Sequence, residues 1–224
     1  MGTYESGNKT KYKISEAARE LFYKNGFSNT TYKQLGNLAN VNLGMIVYHF
    51  KSLDNLAEII YADILKERSK LLVERTDELF GKQLFKTSTL LLAFMRINTQ
   101  AYLDYPNFSR FIVERLSKGL TVNSPPFDTT LHTICEDYRV ELSDKESMLQ
   151  KYLFLPFTAI AANGIHLTSL KTMTAKDICD YAVRMRLKDC SISDDDIDSV
   201  LKDIDFISDK IRLSIDDHMH FSIK

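Results

Sequence analysis

The amino-acid sequence predicts an all-α protein, with a small N-terminal unit of three helices followed by a larger helical domain. Apolar residues recur at helical spacing along most of the 224 residues. Short breakers rich in Gly, Pro, Ser and Thr separate these stretches. No stretch shows sustained alternation of apolar and polar residues, so we expect essentially no sheet.

The first helix is predicted over about Lys11–Asn25. Ile14, Ala18 and Phe22 fall on one face at helical spacing, which indicates a helix with one buried side. Gly26 follows the last turn, where a residue in the left-handed conformation commonly ends a helix.

Two shorter helices, Tyr32–Ala39 and Leu43–Phe50, are predicted on either side of a tight turn. Thr31 is the expected N-cap of the first, and Gln34 three residues later completes a capping box. Asn40 suits the turn because Asn tolerates a left-handed backbone. The residues expected to pack this three-helix unit together are Leu35, Leu38, Val41, Val47 and Phe50.

A long fourth helix is predicted from about Ser52 to Phe80, with no flexible linker before it. The later helices are predicted at about 84–104, 107–119, 126–141, 145–171, 175–189 and 195–219. We therefore expect an N-terminal domain at residues 1–51 and a second domain at residues 52–224. Small residues at 159–164 and the apolar stripe of the last helix are expected to pair two subunits, with burial within one chain as the alternative.

Charge is distributed unevenly between these two parts. Residues 1–51 carry seven basic and three acidic side chains, a balance of +4, whereas residues 52–224 carry 22 basic and 27 acidic ones, a balance of −5. A basic N-terminal unit on an acidic body is typical of a DNA-binding module joined to a domain that avoids DNA.

The cysteines and apolar stretches indicate a reduced, cytoplasmic protein. Cys135, Cys179 and Cys190 are far apart and form no CxxC, which argues against a disulfide framework and a zinc site. Cys135 is expected to be a buried, inert thiol. No signal-peptide core opens the sequence, and the longest apolar stretch, Tyr152–Ala162, is about half of a membrane span. We expect no membrane, metal or cofactor.

An ordered set of N-terminal residues resembles a known family. The set comprises Ile14, Ala17, Ala18, Leu21, Phe22, Gly26, Phe27, Thr30, Thr31, Leu35, Leu38, Ala39, Val41, Gly44, Tyr48, His49 and Phe50. Over about residues 12–60 it resembles the N-terminal domain of the TetR family of transcriptional regulators. Asn40 stands where that family commonly has Gly, and Leu53 where it favours a phosphate-binding Lys, so Lys51 is the expected substitute for Leu53.

The resemblance implies a helix-turn-helix DNA-binding domain and a homodimer whose recognition helices enter successive major grooves of a pseudo-palindromic operator. The side chains suit that role, with amide, imidazole and hydroxyl groups for bases and phosphates, apolar groups for thymine methyls, and cations for phosphates. The predicted DNA-binding residues are Thr31, Tyr32, Lys33, Asn42, Leu43, Gly44, Met45, Tyr48, His49 and Lys51. Family membership favours a repressor over an activator.

The second domain is expected to bind a small hydrophobic or amphipathic effector in a cavity between helices, with core packing as the alternative reading of its aromatic residues. Arg96 is the most suggestive residue, because it interrupts an apolar helix and a buried Arg needs an anionic partner. The predicted ligand-binding residues are Met95, Arg96, Tyr102, Phe111, Phe127, Tyr138, Phe157 and His166.

Two other classes of protein compete with this reading. An enzyme is disfavoured, since the sequence has no HExxH, P-loop, Gly-rich dinucleotide loop or GxSxG, and we expect no catalytic residues. A helical ligand-binding module or adaptor without DNA function is the second, and the basic N-terminal unit argues against it. The pair His218 and His220 is expected to lie in a frayed, solvated end.

Overall fold

The computed structural model describes residues 2–81, 84–118, 126–149 and 173–224, with side chains described from residue 7 and, in the helix that begins at Pro126, from residue 129. The first helices are α1 (Gly2–Asn25), α2 (Tyr32–Ala39), α3 (Leu43–Phe50), α4 (Leu53–Phe80), α5 (Thr87–Asp104) and α6 (Pro106–Ser117). They are followed by α7 (Pro126–Tyr138), α8 (described over residues 144–149), α9 (Ala175–Asp189) and α10 (Asp194–Ser208). The predicted all-α class is confirmed.

The chain divides into two compact units. Unit 1 comprises the described residues of Met1–Leu71, Tyr105–Thr121 and Ile215–Ser222. Unit 2 comprises those of Leu72–Asp104, Val122–Ser214 and Ile223–Lys224. Unit 1 thus gathers the three N-terminal helices with part of α4, α6 and the C-terminal residues. The expected functional boundary after residue 51 stays a prediction.

The core of unit 1 is aromatic. The Phe22 ring of α1 stacks on Phe111 of α6, with centroids 5.6 Å apart, and meets Phe27 edge-on at 5.3 Å. From α2 and α3 the buried side chains are Leu35, Ala39, Ile46 and Phe50. They form two pairs four residues apart, so each short helix turns one narrow face inward.

Two expected core residues are exposed instead. Leu38 and Val47 are each 45% exposed, and Ala39 and Ile46 occupy the inward positions. In helices of eight residues the buried face is set by the i, i+4 pairs, and Leu38 and Val47 lie one residue away from that face.

The turn between α2 and α3 depends on two small or permissive residues. Asn40 adopts φ 53°, in the left-handed region, as expected from its side chain. The N–H of Val41 donates to the carbonyl of Gly36 at 2.9 Å. A Cβ added at Gly36 would lie 2.9 Å from the carbonyl oxygen of Val41, so the turn folds back this closely onto α2 only because residue 36 is glycine.

Unit 2 is built around α5, α9 and α10. Its buried residues include Leu92 and Ile97 of α5, Val183 of α9, and Ile204 of α10. Ser193 caps α10 by accepting the N–H of Asp196 at 3.2 Å, and three aspartates fill the first turn of that helix, where the helix dipole favours them.

The expectation of essentially no sheet is confirmed, since the described residues hold one two-stranded sheet, but the expectation of a last helix reaching residue 219 is wrong. The last helix ends at Ser208, and the chain continues as a hairpin of β1 (Leu213–Ile215) and β2 (Phe221–Ile223). Ile211, Leu213 and Ile215 are buried and alternate with less buried Arg212 and Ser214. This alternation is too short to outweigh the helical spacing of the isoleucines before it.

Candidate nucleic-acid interface

The third helix presents a defined exposed face. Asn42 caps its N-terminus, with its side-chain oxygen accepting the N–H of Met45 at 3.0 Å. Ile46 and Phe50 anchor the opposite face and are fully buried. Leu43 is 54% exposed and Tyr48 78% exposed. Because Asn42 uses its oxygen as the cap, its NH₂ group is the part directed to other partners.

The start of α2 combines a capping box with the positive end of a helix dipole and an exposed lysine. Thr31 and Gln34 form the expected capping box, with the Thr31 N–H donating to Gln34 Oε1 at 2.8 Å. The first N–H groups of a helix lack intrahelical acceptors and carry the positive end of its dipole. Lys33, exposed in this first turn, adds a full positive charge.

The Tyr32 hydroxyl joins this helix start to the next long helix. It accepts the backbone N–H of Leu53, the first residue of α4, at 3.2 Å. Ser52 caps the same end, with its hydroxyl accepting the N–H of Asn55 at 3.0 Å. Sequence reasoning assigned Tyr32 to phosphate contact and missed this bond, for which the sequence carries no signal.

Three further predicted residues lie around α3. A Cβ at Gly44 would lie 3.2 Å from Asn42 Oδ1, so glycine leaves room for the cap. The His49 ring meets Tyr48 edge-on at 5.0 Å, and its Nε2 is buried with no hydrogen-bond partner among the described residues. Lys51 ends α3 with φ 62° and an exposed side chain.

The ten predicted DNA-binding residues thus occupy two helix starts and the exposed side of α3. Thr31, Tyr32 and Lys33 form one helix start, and Asn42 to Met45 the other. Tyr48, His49 and Lys51 follow along and beyond α3. The individual DNA contacts of these residues stay predictions.

Helix α6 holds the C-terminal end of α1 through polar contacts that sequence reasoning missed. Arg110 Nη2 donates to the carbonyls of Tyr23 and Lys24, each at 2.9 Å. Glu114 accepts the N–H of Ser28 at 2.8 Å. These contacts join residues more than 80 positions apart, and only the fold brings them together.

Arg115 of α6 is fully buried in unit 1. Its Nη1 donates to Glu58 Oε1 at 2.6 Å, and its guanidinium lies 3.7 Å from the centroid of the Tyr61 ring. Both partners belong to α4, so one side chain fixes α6 against α4 by charge and ring contact.

The predicted ligand-binding residues are distributed over both units, and their role stays a prediction. Phe111 lies in the core of unit 1 against Phe22, whereas Arg96, Tyr102 and Tyr138 belong to unit 2. The Lys86 ammonium lies 3.5 Å from the Tyr138 ring, and burial raises the pKa of Tyr138 to about 12. Met95 is half-buried. Phe157 and His166, and the side chain of Phe127, lie outside the described residues.

Arg96 has its anionic partners within the protein. Its guanidinium donates to Asp180 of α9 and Asp205 of α10, and Lys176 contacts the same two carboxylates. Burial opposes the ionisation of Asp205, but hydrogen bonds from Lys176 and Arg96 outweigh it and hold the pKa of Asp205 below its ordinary value.

Arg96 borders a cleft of about 500 Å³ within unit 2. Its polar border includes Gln100, Asp104 and Arg212, and Arg212 Nη2 lies 2.8 Å from Asp104 Oδ2. The apolar border is Ile97, Ala101, Ala175, Ile211 and Leu213. The volume falls within the range of small-molecule sites.

The cysteines are poor nucleophiles in this fold. Burial raises the pKa of Cys179 and of Cys190 to about 11, and it also raises the pKa of Cys135. Raised values disfavour the reactive thiolate. Among the described residues, His, Cys, Asp and Glu form no group of three suited to a metal ion, and no helix there is long and apolar enough to cross a membrane.

Comparison of the sequence with known proteins identifies relatives of the N-terminal region and of most of the chain. Residues 14–59 match the model of bacterial regulatory proteins of the tetR family. The chain is 30% identical over 148 residues to the probable HTH-type transcriptional regulator YttP of Bacillus subtilis, which covers 66% of this chain and 69% of that protein. It is 40% identical over 60 residues to the HTH-type regulator TtgR of Pseudomonas putida, 27% of each chain.

Solved structures share the fold. The complex of RolR with resorcinol superposes with a TM-score of 0.58 over 88% of this chain and 95% of RolR, at 12% identity. A gamma-butyrolactone receptor described as ArpA-like superposes with a TM-score of 0.52 over 91% of this chain and 98% of its own, at 13% identity. Given its helix-turn-helix, the helices that follow it and its similarity to YttP, the chain belongs to the TetR family of transcriptional regulators.

Proposed function

We propose that this regulator is a repressor that binds a pseudo-palindromic operator as a homodimer and is released by a small amphipathic effector. The observation that supports DNA binding best is α3, which is capped by Asn42, anchored by Ile46 and Phe50, and exposed at Tyr48. A short helix with one buried and one exposed face suits entry into the major groove.

The proposed contacts follow from the chemistry of each group. The Asn42 NH₂ suits base edges or phosphates, and the Tyr48 hydroxyl suits a phosphate. The His49 imidazole is proposed as a further contact, although its Nε2 is buried and has to become exposed when DNA binds. Leu43 or Met45 meets a thymine methyl. The start of α2, with Lys33, binds the DNA backbone, and Lys51 takes the phosphate that a Lys at position 53 would otherwise meet.

The test of this surface is a matched pair of tyrosine substitutions. Tyr48→Ala removes an exposed hydroxyl from α3, and Tyr181→Ala removes one that is 67% exposed on α9. A hydrogen bond to a charged phosphate contributes about 1.5–3 kcal/mol, so Tyr48→Ala weakens DNA binding about tenfold or more in fluorescence anisotropy. Tyr181→Ala leaves it unchanged. Equal affinities for the two variants refute the proposed surface.

The effector is proposed to occupy the cleft beside Arg96. One side of the cleft offers Gln100 and charged groups, and the other offers apolar groups such as Ile97 and Ile211. A molecule with a hydrogen-bonding end and an apolar body suits both sides.

Helices α4 and α6 are proposed to transmit the effect of effector binding to the DNA-binding helices. The described α4 is continuous over Leu53–Phe80, and α6 holds α1 through Arg110 and α4 through Arg115. We propose that effector binding shifts α4 and changes the separation of the two recognition helices in the dimer. Such a switch requires only that the effector bind the DNA-incompetent state more tightly than the DNA-competent state by a few kcal/mol.

The effector site is tested with two lysines of α9. Lys176 borders the cleft, whereas Lys188 pairs with Asp194 away from it. The first probes are resorcinol and a γ-butyrolactone, both small amphipathic molecules. Release of bound DNA by either probe should weaken in Lys176→Ala and persist in Lys188→Ala. Release that is insensitive to Lys176→Ala places the effector elsewhere.

A further inference from the structure

The loop and second strand of the C-terminal hairpin are tied to α1 and α6 of unit 1. Met219 is fully buried, and its carbonyl accepts a hydrogen bond from Arg19 Nη1 at 3.1 Å. The Phe221 ring meets Phe108 of α6 edge-on at 5.5 Å. These contacts make residues Ile215–Ser222, which we call the clamp, part of the same packed unit as the DNA-binding helices.

His220 of the clamp lies between two carboxylates from different helices. Its Nε2 is 3.0 Å from Glu16 Oε2 of α1, and its Nδ1 is 3.2 Å from Glu67 Oε1 of α4. A neutral imidazole has one N–H and donates to one carboxylate only, whereas the protonated ring donates to both. The geometry at both nitrogens therefore fits the protonated ring.

Arg19 offers the neutral ring an alternative partner. Its Nη1 lies 3.3 Å from His220 Nδ1 and 3.4 Å from Glu67 Oε2. In the neutral state Nδ1 accepts from Arg19 and no longer binds Glu67. Loss of one proton thus removes the hydrogen bond between the clamp and α4 and keeps the bond to Glu16 of α1.

The charges in direct contact with the clamp favour proton uptake. On α1, Glu16 and Glu20 each lie 3.8 Å from a ring nitrogen of His218, which stacks on His220 at 6.4 Å. The remaining charged groups on this surface are Asp216, Asp217 and Lys24 around the clamp, and Lys11, Asp63, Lys66 and Lys70 along the groove between α1 and α4. The nearest carboxylates outnumber the nearest cations, which are Arg19 and Lys24. These carboxylates are Glu16, Glu20, Glu67, Asp216 and Asp217.

The pKa of His220 has the direction that this geometry requires. Burial lowers it, but the hydrogen bonds and charges of Glu16 and Glu67 outweigh burial and Arg19, so the pKa is raised from its ordinary value of 6.5. A raised folded-state pKa gives stability that is fully present below 6.5 and is lost as the pH rises through the raised value.

We propose that residues Ile215–Ser222 form a proton-dependent clamp, in which protonated His220 ties the C-terminal hairpin to α1 and α4 and stabilises the DNA-binding unit. The clamp concerns stability and goes beyond the proposed function. Only its effect on operator affinity rests on that function.

The test compares His220→Gln with His132→Gln in the full chain. His132 is an exposed residue of α7 whose Nε2 lies 3.2 Å from Glu136, so it controls for the loss of a histidine–glutamate pair. Hydrogen exchange of the amides of the clamp and α1 is measured at about pH 6 and about pH 8 and corrected for intrinsic rates. Protection in the wild type and in His132→Gln should fall several-fold at the higher pH, and His220→Gln should lose this dependence.

An unchanged pH dependence in His220→Gln overturns the clamp. If His220→Gln fails to fold, Glu67→Gln provides the second measurement. NMR titration of the His220 ring should then give a pKa below that of the wild type, because one of the two carboxylates has lost its charge. An equal pKa in both proteins also overturns the proposal. DNA binding that is absent at both pH values, with pH-dependent protection intact, counts against the proposed function and not against the clamp.

Discussion

At the scale of single residues, the DNA-binding unit separates packing from recognition. Ile46 and Phe50 are fully buried, whereas Leu43 and Tyr48 point outward from the same helix. Substitutions on the two faces should therefore fail in different ways. Loss of an inward residue unfolds the unit, and loss of an outward one weakens DNA binding in a folded protein.

Phe50→Ala should cost about 3–5 kcal/mol of the free energy of unfolding, because it leaves a cavity in a fully buried site. Val47→Ala, on the exposed side of the same helix, should change it by about 0.5 kcal/mol or less. Denaturant unfolding followed by circular dichroism measures both. A wild-type midpoint for Phe50→Ala would contradict the packing described for α3.

Lys33→Ala should weaken binding to all DNA sequences and reduce the slope of log affinity against log salt by about one unit, because one phosphate contact is lost. Lys202→Ala, an exposed lysine of α10, is the matched control and should keep the wild-type slope. Anisotropy titrations over a range of salt concentrations measure both. If the two variants share one slope, Lys33 does not contact a phosphate.

Short-range residue roles were predictable from the sequence, and long-range ones were not. The capping box of Thr31 and the left-handed backbone at Asn40 depend on residues within three positions. Three long-range hydrogen bonds were missed: from Leu53 to Tyr32, from Arg110 to α1, and between His220 and Glu16. They join residues 21 to 204 positions apart. A single sequence does not encode such pairings in any local pattern.

At the scale of elements, the helix-turn-helix depends on the geometry between α2 and α3. Asn40 has a left-handed backbone, and Gly36 approaches the carbonyl of Val41 too closely for a side chain. This turn sets the direction in which α3 leaves α2, and so the placement of its exposed face.

Asn40→Gly should keep or raise the free energy of unfolding, since glycine adopts φ 53° without strain. Asn40→Val should lower it by about 1–2 kcal/mol, the cost of a left-handed backbone for an ordinary residue. Thermal unfolding of both variants tests the turn directly. Equal stabilities would mean that residue 40 does not need this conformation.

The elements were predictable where caps and breakers mark both ends of a helix, and the error occurred where helical spacing continues past the true end of the helix. The bounds of α2, α3 and α9 agree with the sequence predictions to the residue. The hairpin was missed because Ile204, Ile207, Ile211 and Ile215 continue the helical spacing of α10. Tertiary contacts of the clamp, which helical spacing does not reveal, stabilise strands in the C-terminal hairpin.

At the scale of the whole molecule, each compact unit is built from segments that are far apart in the sequence. Unit 1 draws on the N-terminal helices, α6 and the clamp, so residues 105 to 118 and 215 to 222 support the DNA-binding helices. These supports lie beyond the boundary at residue 51, which stays a prediction. Removal of the C-terminal residues should therefore destabilise the DNA-binding unit.

Deletion of residues 211–224 tests that dependence. The truncation exposes Phe108 and removes Met219 and His220, which contact Arg19 and Glu16, so the DNA-binding unit should unfold at a lower temperature than in the full chain. Differential scanning calorimetry together with exchange of the α1 amides measures the effect. A melting temperature and α1 protection equal to those of the full chain would show that the hairpin does not support unit 1.

We propose that two copies of this chain read a two-fold symmetric DNA site. The most direct measurement is selection of bound sequences from a random duplex pool by the purified protein, read by sequencing. The enriched sequences should form a pseudo-palindrome whose half-sites are about one helical turn apart, and this enrichment should be lost in Tyr48→Ala and retained in Tyr181→Ala. No enriched sequence, or a single unpaired half-site, would contradict it.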